Sequence, residues 1–209
     1  MAKKTPTVPF VEKLVLNQFM LSLLGFSSFF DLASTLKNVD SGFDENQISR
    51  YYQAIINSRD YQNNHIIDED TLLAYDENIS RYTKKMQGKR SEPVSWKYFQ
   101  YLCLLFVEIY LDRYFKNKEG FLNELNSFKN NVPNLLDIPD YELNQMSKIA
   151  IWNATGSGKT LLMHVNILQY RAYLEKYKRQ NTINRILLIT PNEGLSRQHL
   201  KNFEISGIP

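Results

Sequence analysis

Residues 148–160, KIAIWNATGSGKT, decide how this chain is read. The first half, KIAIWN, is short, apolar and β-branched, the texture of a strand covered on both faces. The second half, ATGSGKT, is a glycine-punctuated loop, and from 160 to about 178 the apolar spacing turns helical. A return segment, RQNTIN, leads into a second apolar run, RILLIT, at 185–190. This order predicts a strand–loop–helix–strand unit with a right-handed parallel crossover.

The loop between strand and helix has the chemistry of a phosphate cradle. Gly156 and Gly158 permit turns that side chains forbid, so that successive N–H groups aim inward. A helix beginning near Lys159 adds its N-terminal partial charge. Lys159 would neutralise the β and γ phosphates of a nucleoside triphosphate, and the Thr160 hydroxyl would take a place on Mg²⁺. The expected ATP-binding set is therefore Ala154, Thr155, Gly156, Ser157, Gly158, Lys159 and Thr160, with Thr160 as the metal-facing residue. One departure stands out: Asn153 occupies a position where the pattern favours a small residue.

A second stretch, LLITPNEGLSRQHL at 187–200, leaves a strand at Thr190, breaks at Pro191 and starts a helix near Glu193. Turns at strand C-termini are where open α/β sheets place ligand contacts. Together, ATGSGKT and ITPNEGLSRQHL resemble motifs I and Ia of superfamily 2 DEAD/DEAH-type helicases. More narrowly, they resemble the Res subunit family of type III restriction enzymes. YFQYLCLLFVEIYLDRYF, ahead of the loop, is also similar to some of its members. The specific resemblance covers 148–209. It implies an ATP-dependent helicase or translocase working on DNA in a restriction system. It also implies that Thr190, Pro191, Asn192 and Gln198 lie along the DNA backbone, with Leu195 packing beside them.

Other parts of such a motor are not found. An acidic motif after the second strand and an arginine from a second lobe are needed for turnover. Past Thr190 the only acids are Glu193 and Glu204. The acidic run at 68–70 precedes the loop and reads as a helix start. Gln145 is a weak candidate for contacting adenine. No acidic residue has lysine two positions later, which argues against a restriction-type nuclease site, and His65, His164 and His199 lack metal-ligand spacing. The chain therefore reads as the N-terminal portion of a larger motor, catalytically incomplete alone. The competing reading is a non-enzymatic module that docks a methyltransferase or other restriction partner and keeps the loop as a relic. A small P-loop kinase ranks last for want of a third strand.

The remainder of the chain sets the frame. Three regions are expected: a helical domain at 1–130, a proline-containing connector at 131–147, and the opening of a RecA-like α/β domain at 148–209. Residues 1–147 carry 16 Lys/Arg against 19 Asp/Glu, whereas 148–209 carry 9 against 3, a basic bias suited to polyanions. Helices are expected within 10–38 with a break near Gly25, from Asp44 to about 58, from Asp68 to Gln87, and from a Ser95 cap through 96–115. A short amphipathic helix follows at GFLNELNSFKNN. The polar residues among 14–30 argue against a membrane span, and no leader pattern is read at the start, so a cytoplasmic location is expected. Cys103 reads as a buried, reduced thiol.

Overall fold

A computed structural model describes residues 8–88, 90–183 and 185–208. Residues 1–7, on which the expectation about a leader falls, lie outside the described residues, as does Pro209. Helices dominate: α1 (Val15–Leu23), α2 (Phe29–Leu36), α3 (Arg50–Ile56), α4 (Arg59–Asn64), α5 (Glu69–Gln87), α6 (Tyr98–Lys116), α7 (Lys118–Asn131), α8 (Lys159–Lys176) and α9 (Glu193–Ile205).

Local chemistry sets many of their ends. The Asp68 carboxylate accepts the Thr71 N–H at 2.8 Å at the start of α5. Glu69 and Asp70 then sit in its first turn, and Lys84 and Lys85 in its last, with Gly88 beyond. Asn117 caps α7 by accepting from the Gly120 N–H. Gly25 separates α1 from α2 for two reasons: its φ is +83°, and a Cβ would stand 2.6 Å from the Asp60 carbonyl oxygen.

Two expected helix starts move. Asp44 caps no helix; its carboxylate accepts from Ile48 N–H and the Gln53 amide, and α3 begins only after Ser49. Ser95 donates to Ser41 instead of capping, and α6 starts after Lys97.

The amphipathic patterns meet in one core. Leu104, Leu105 and Ile109 of α6 are fully buried, each such burial contributing roughly 1.5–3 kcal/mol. α8 lays Leu162, Val165, Leu168, Tyr173 and Leu174 into the interface with α6 and α5. Phe115 continues the contact, its ring 5.9 Å from that of Tyr177 and nearly parallel to it. Gln169 Nε2 donates to the Leu104 carbonyl at 2.9 Å across the same interface.

That use of α8 corrects the expected fold. Among the described residues there is no strand and no sheet, so the strand–loop–helix–strand start of a RecA-like α/β domain is not what this chain forms. Neither 148–153 nor 185–190 exchanges backbone hydrogen bonds with the other. Both runs are solvent-facing, with Trp152 81% and Ile189 90% exposed. The physical cause is the helix between them. A crossover helix must cover the sheet, but α8 spends its apolar face on α5 and α6. The two runs thus lack the cover that turns β-branched composition into strands. No described helix is long and apolar enough to cross a membrane.

Candidate phosphate-binding loop

The segment expected to cradle phosphate, 154–160, runs through a turn into a helix start with no sheet beside it. Thr155 and Gly156 make a turn, and α8 begins at Lys159 directly after Gly158. Both glycines are left-handed, Gly156 at φ +77° and Gly158 at φ +80°. Only the Ser157 N–H closes the turn, on the Ala154 carbonyl at 3.2 Å. The N–H groups of Thr155, Gly156, Gly158, Lys159 and Thr160 have no acceptor among the described residues. They gather at the N-terminus of an 18-residue helix, where the helix dipole favours an anion.

Lys159 is exposed and folds back over its own loop. Its Nζ donates to the carbonyl oxygens of Ala154 at 2.8 Å and Asn153 at 3.1 Å. Those acceptors are neutral, and a phosphate oxygen would make a stronger, charge-assisted partner. The Thr160 hydroxyl makes no protein hydrogen bond among the described residues, which leaves it free for a metal. In this geometry the residues fit a Mg-nucleotide: amides without acceptors, an exposed ammonium and an unbonded hydroxyl share one short segment.

Two polar atoms beside the loop are buried without partners, Asn153 Nδ2 and Ser157 Oγ. Asn153, the departure from pattern, stands against Cys103. That thiol is half-buried, free and pushed up to about 11 by its burial, as expected of an unreactive cysteine.

Sequence reasoning missed Gln100. Its side chain, 8% exposed, leaves the first turn of α6 and donates to the Ser157 carbonyl at 2.8 Å. Gln145, the glutamine singled out from sequence, is exposed and accepts the Glu142 N–H. Nothing in the spacing joins position 100 to position 157; only the docking of α8 on α6 does.

The second expected patch lies at the start of α9. Asn192 Oδ1 accepts the Leu195 N–H at 2.9 Å and so caps the helix. The Thr190 hydroxyl donates to the Asn192 carbonyl and meets Ser196 Oγ. Pro191 and Gln198 are exposed, and Leu195 is half-buried. At its far end α9 is anchored: Ser206 Oγ accepts from Arg90 at 2.7 Å and bonds His164 Nδ1 at 2.7 Å. The ring of Phe203 lies 4.7 Å from that of His164. Among the described residues no group of three or more His, Cys, Asp or Glu is placed to hold a metal.

A family model described as type III restriction enzyme, res subunit, matches residues 112–207. The match starts inside α6 and spans the loop, α8 and all of α9, so it covers both stretches whose resemblance was read from sequence. No curated protein matches the chain, and no solved structure does.

Proposed function

We propose that this chain, similar over residues 112–207 to the res subunit of type III restriction enzymes, a DEAD/DEAH-type helicase-like family, contributes nucleotide binding to such a restriction-system subunit. The observation that carries the reading is the loop at 154–160. Unpaired amides, two left-handed glycines and the Lys159 ammonium meet at the start of α8. Lys159 would leave its carbonyl acceptors for the terminal phosphates, and the five amides would take the remaining oxygens. Thr160 would face the magnesium that accompanies ATP.

DNA would be held by its backbone at the start of α9. The exposed Asn192 and Gln198 lie on a segment whose basic residues outnumber its acids, which attracts phosphates without reading bases. Hydrolysis is not assigned to this chain. The acids of 148–209 are Glu175, Glu193 and Glu204, and among the described residues none reaches the loop by an ion pair or hydrogen bond.

Titration of the purified chain with a fluorescent ATP analogue and Mg²⁺ tests the reading. Saturable binding lost in Lys159→Ala supports it; equal binding by both proteins overturns it. The alternative, a docking module with a relic loop, predicts that equality.

A further inference from the structure

The loop does not hold its shape alone. Gln100 Oε1 accepts the Lys97 N–H at 2.8 Å and so closes the first turn of α6, while Nε2 of the same amide donates to the Ser157 carbonyl at 2.8 Å. Both ends of one buried amide are therefore committed, one to the helical region and one to the phosphate loop. Space is committed as well: a Cβ on Gly158 would stand 2.5 Å from Gln100 Nε2. The side chain occupies the room that the glycine leaves open.

A peptide unit is planar and, here, trans, so its C=O and N–H point in opposite directions. Fixing the Ser157 carbonyl on Gln100 therefore turns the Gly158 N–H away from α6, into solvent where an anion would approach. We propose that Gln100 is a positioning residue that presets the phosphate loop, and that it couples the nucleotide site to the helical region carrying α6. This rests on the nucleotide reading above for its ligand, but not for its geometry. Gln100 touches no nucleotide atom; it acts through Ser157 and Gly158.

The two commitments of the amide can be separated by substitution. Gln100→Glu keeps an acceptor for the Lys97 N–H and removes the donor to Ser157. Gln100→Met removes both while preserving length. Two readouts are taken on the full chain: affinity for a fluorescent ATP analogue with Mg²⁺, and, without nucleotide, the rate of tryptic cleavage after Lys159. Loss of one hydrogen bond should weaken nucleotide binding by roughly three- to tenfold in both variants. Cleavage after Lys159 should accelerate in both variants, read at a temperature where each is fully folded, because the buried carboxylate of Gln100→Glu lowers the melting temperature on its own account.

Parent-like affinity and parent-like cleavage in Gln100→Glu would overturn the proposal. So would a fall in affinity with no change in cleavage after Lys159 in the folded variants, which assigns Gln100 to general stability. Should Gln100→Met fail to fold, Gln100→Glu decides. A Lys159→Ala protein that binds nucleotide like the parent would sink the nucleotide reading instead. Faster cleavage in the Gln100 variants would then still support loop positioning.

Discussion

The Tyr173 hydroxyl donates to the Glu108 carboxylate at 3.0 Å, joining α8 to α6 inside the core. Asn78 of α5 donates to the same oxygen at 3.0 Å, so three helices meet on one carboxylate. Gln169 of α8 and the Arg81 charge of α5 also face it, and its second oxygen, Oε1, has no partner. Burial outweighs these favourable neighbours and raises Glu108 to about 7.

That shift fixes the sign of a pH dependence. The folded chain binds a proton more readily than the unfolded chain between about 4.5 and about 7. The contribution is therefore complete below the lower value and is lost as pH rises through the upper one, by roughly 3 kcal/mol. Gln at this position cannot ionise. Urea denaturation should find Glu108→Gln close to the parent at pH 5 and more stable at pH 8.

The two loop glycines should respond unequally to alanine. Both have positive φ, which disfavours any Cβ by about 1 kcal/mol. Space around Gly156 is open, whereas at Gly158 the Gln100 amide is in the way. Gly158→Ala should therefore weaken nucleotide binding several-fold more than Gly156→Ala, as read by parallel titrations.

Much of this was legible in the sequence. The ends of α5 follow from Asp68, the flanking charges and Gly88, and the start of α9 near Glu193 from the break at Pro191. The loop's left-handed turns are permitted by its glycines, but the setting of the Ser157–Gly158 peptide depends on a tertiary partner, Gln100. What was not legible depends on where an apolar face goes. KIAIWN and RILLIT have strand composition, but composition makes a strand only where a neighbour supplies hydrogen bonds and cover. The helix between them could pack on a sheet or on other helices, and its periodicity is the same in both cases. Gln100 was hidden for the same reason, since its role exists only once α8 lies on α6. Asp44 and Ser95 are good capping residues that found other partners nearby.

Removal of the Ser206 hydroxyl should free the end of α9. It leaves Arg90 and the buried His164 without their shared partner, a cost of about 1–3 kcal/mol. His164 is held down to about 4, first by burial and then by the charges of Arg90 and His199. Its contribution is complete above the ordinary value of 6.5 and is lost as pH falls through about 4. Amide exchange in α9 should accelerate in Ser206→Ala at neutral pH, and in the parent as pH approaches 4.

Backbone-directed DNA binding has its own signature. Affinity should fall linearly on a log–log plot against salt and vary little with sequence. Gln198→Ala should weaken it without altering helix content, whereas Asn192→Ala should also cost α9 its cap, about 1 kcal/mol. Fluorescence anisotropy on two unrelated duplexes, with circular dichroism beside it, separates the two effects.

The most direct measurement is equilibrium titration of the 209-residue chain and its Lys159→Ala variant with a fluorescent Mg–ATP analogue, with phosphate release followed in the same samples. Saturable binding by the parent, its loss in the variant, and no phosphate release from either are expected. Equal affinity in the two proteins would contradict an anion site at the head of α8, and steady phosphate release by the parent would contradict a chain that binds without turning over.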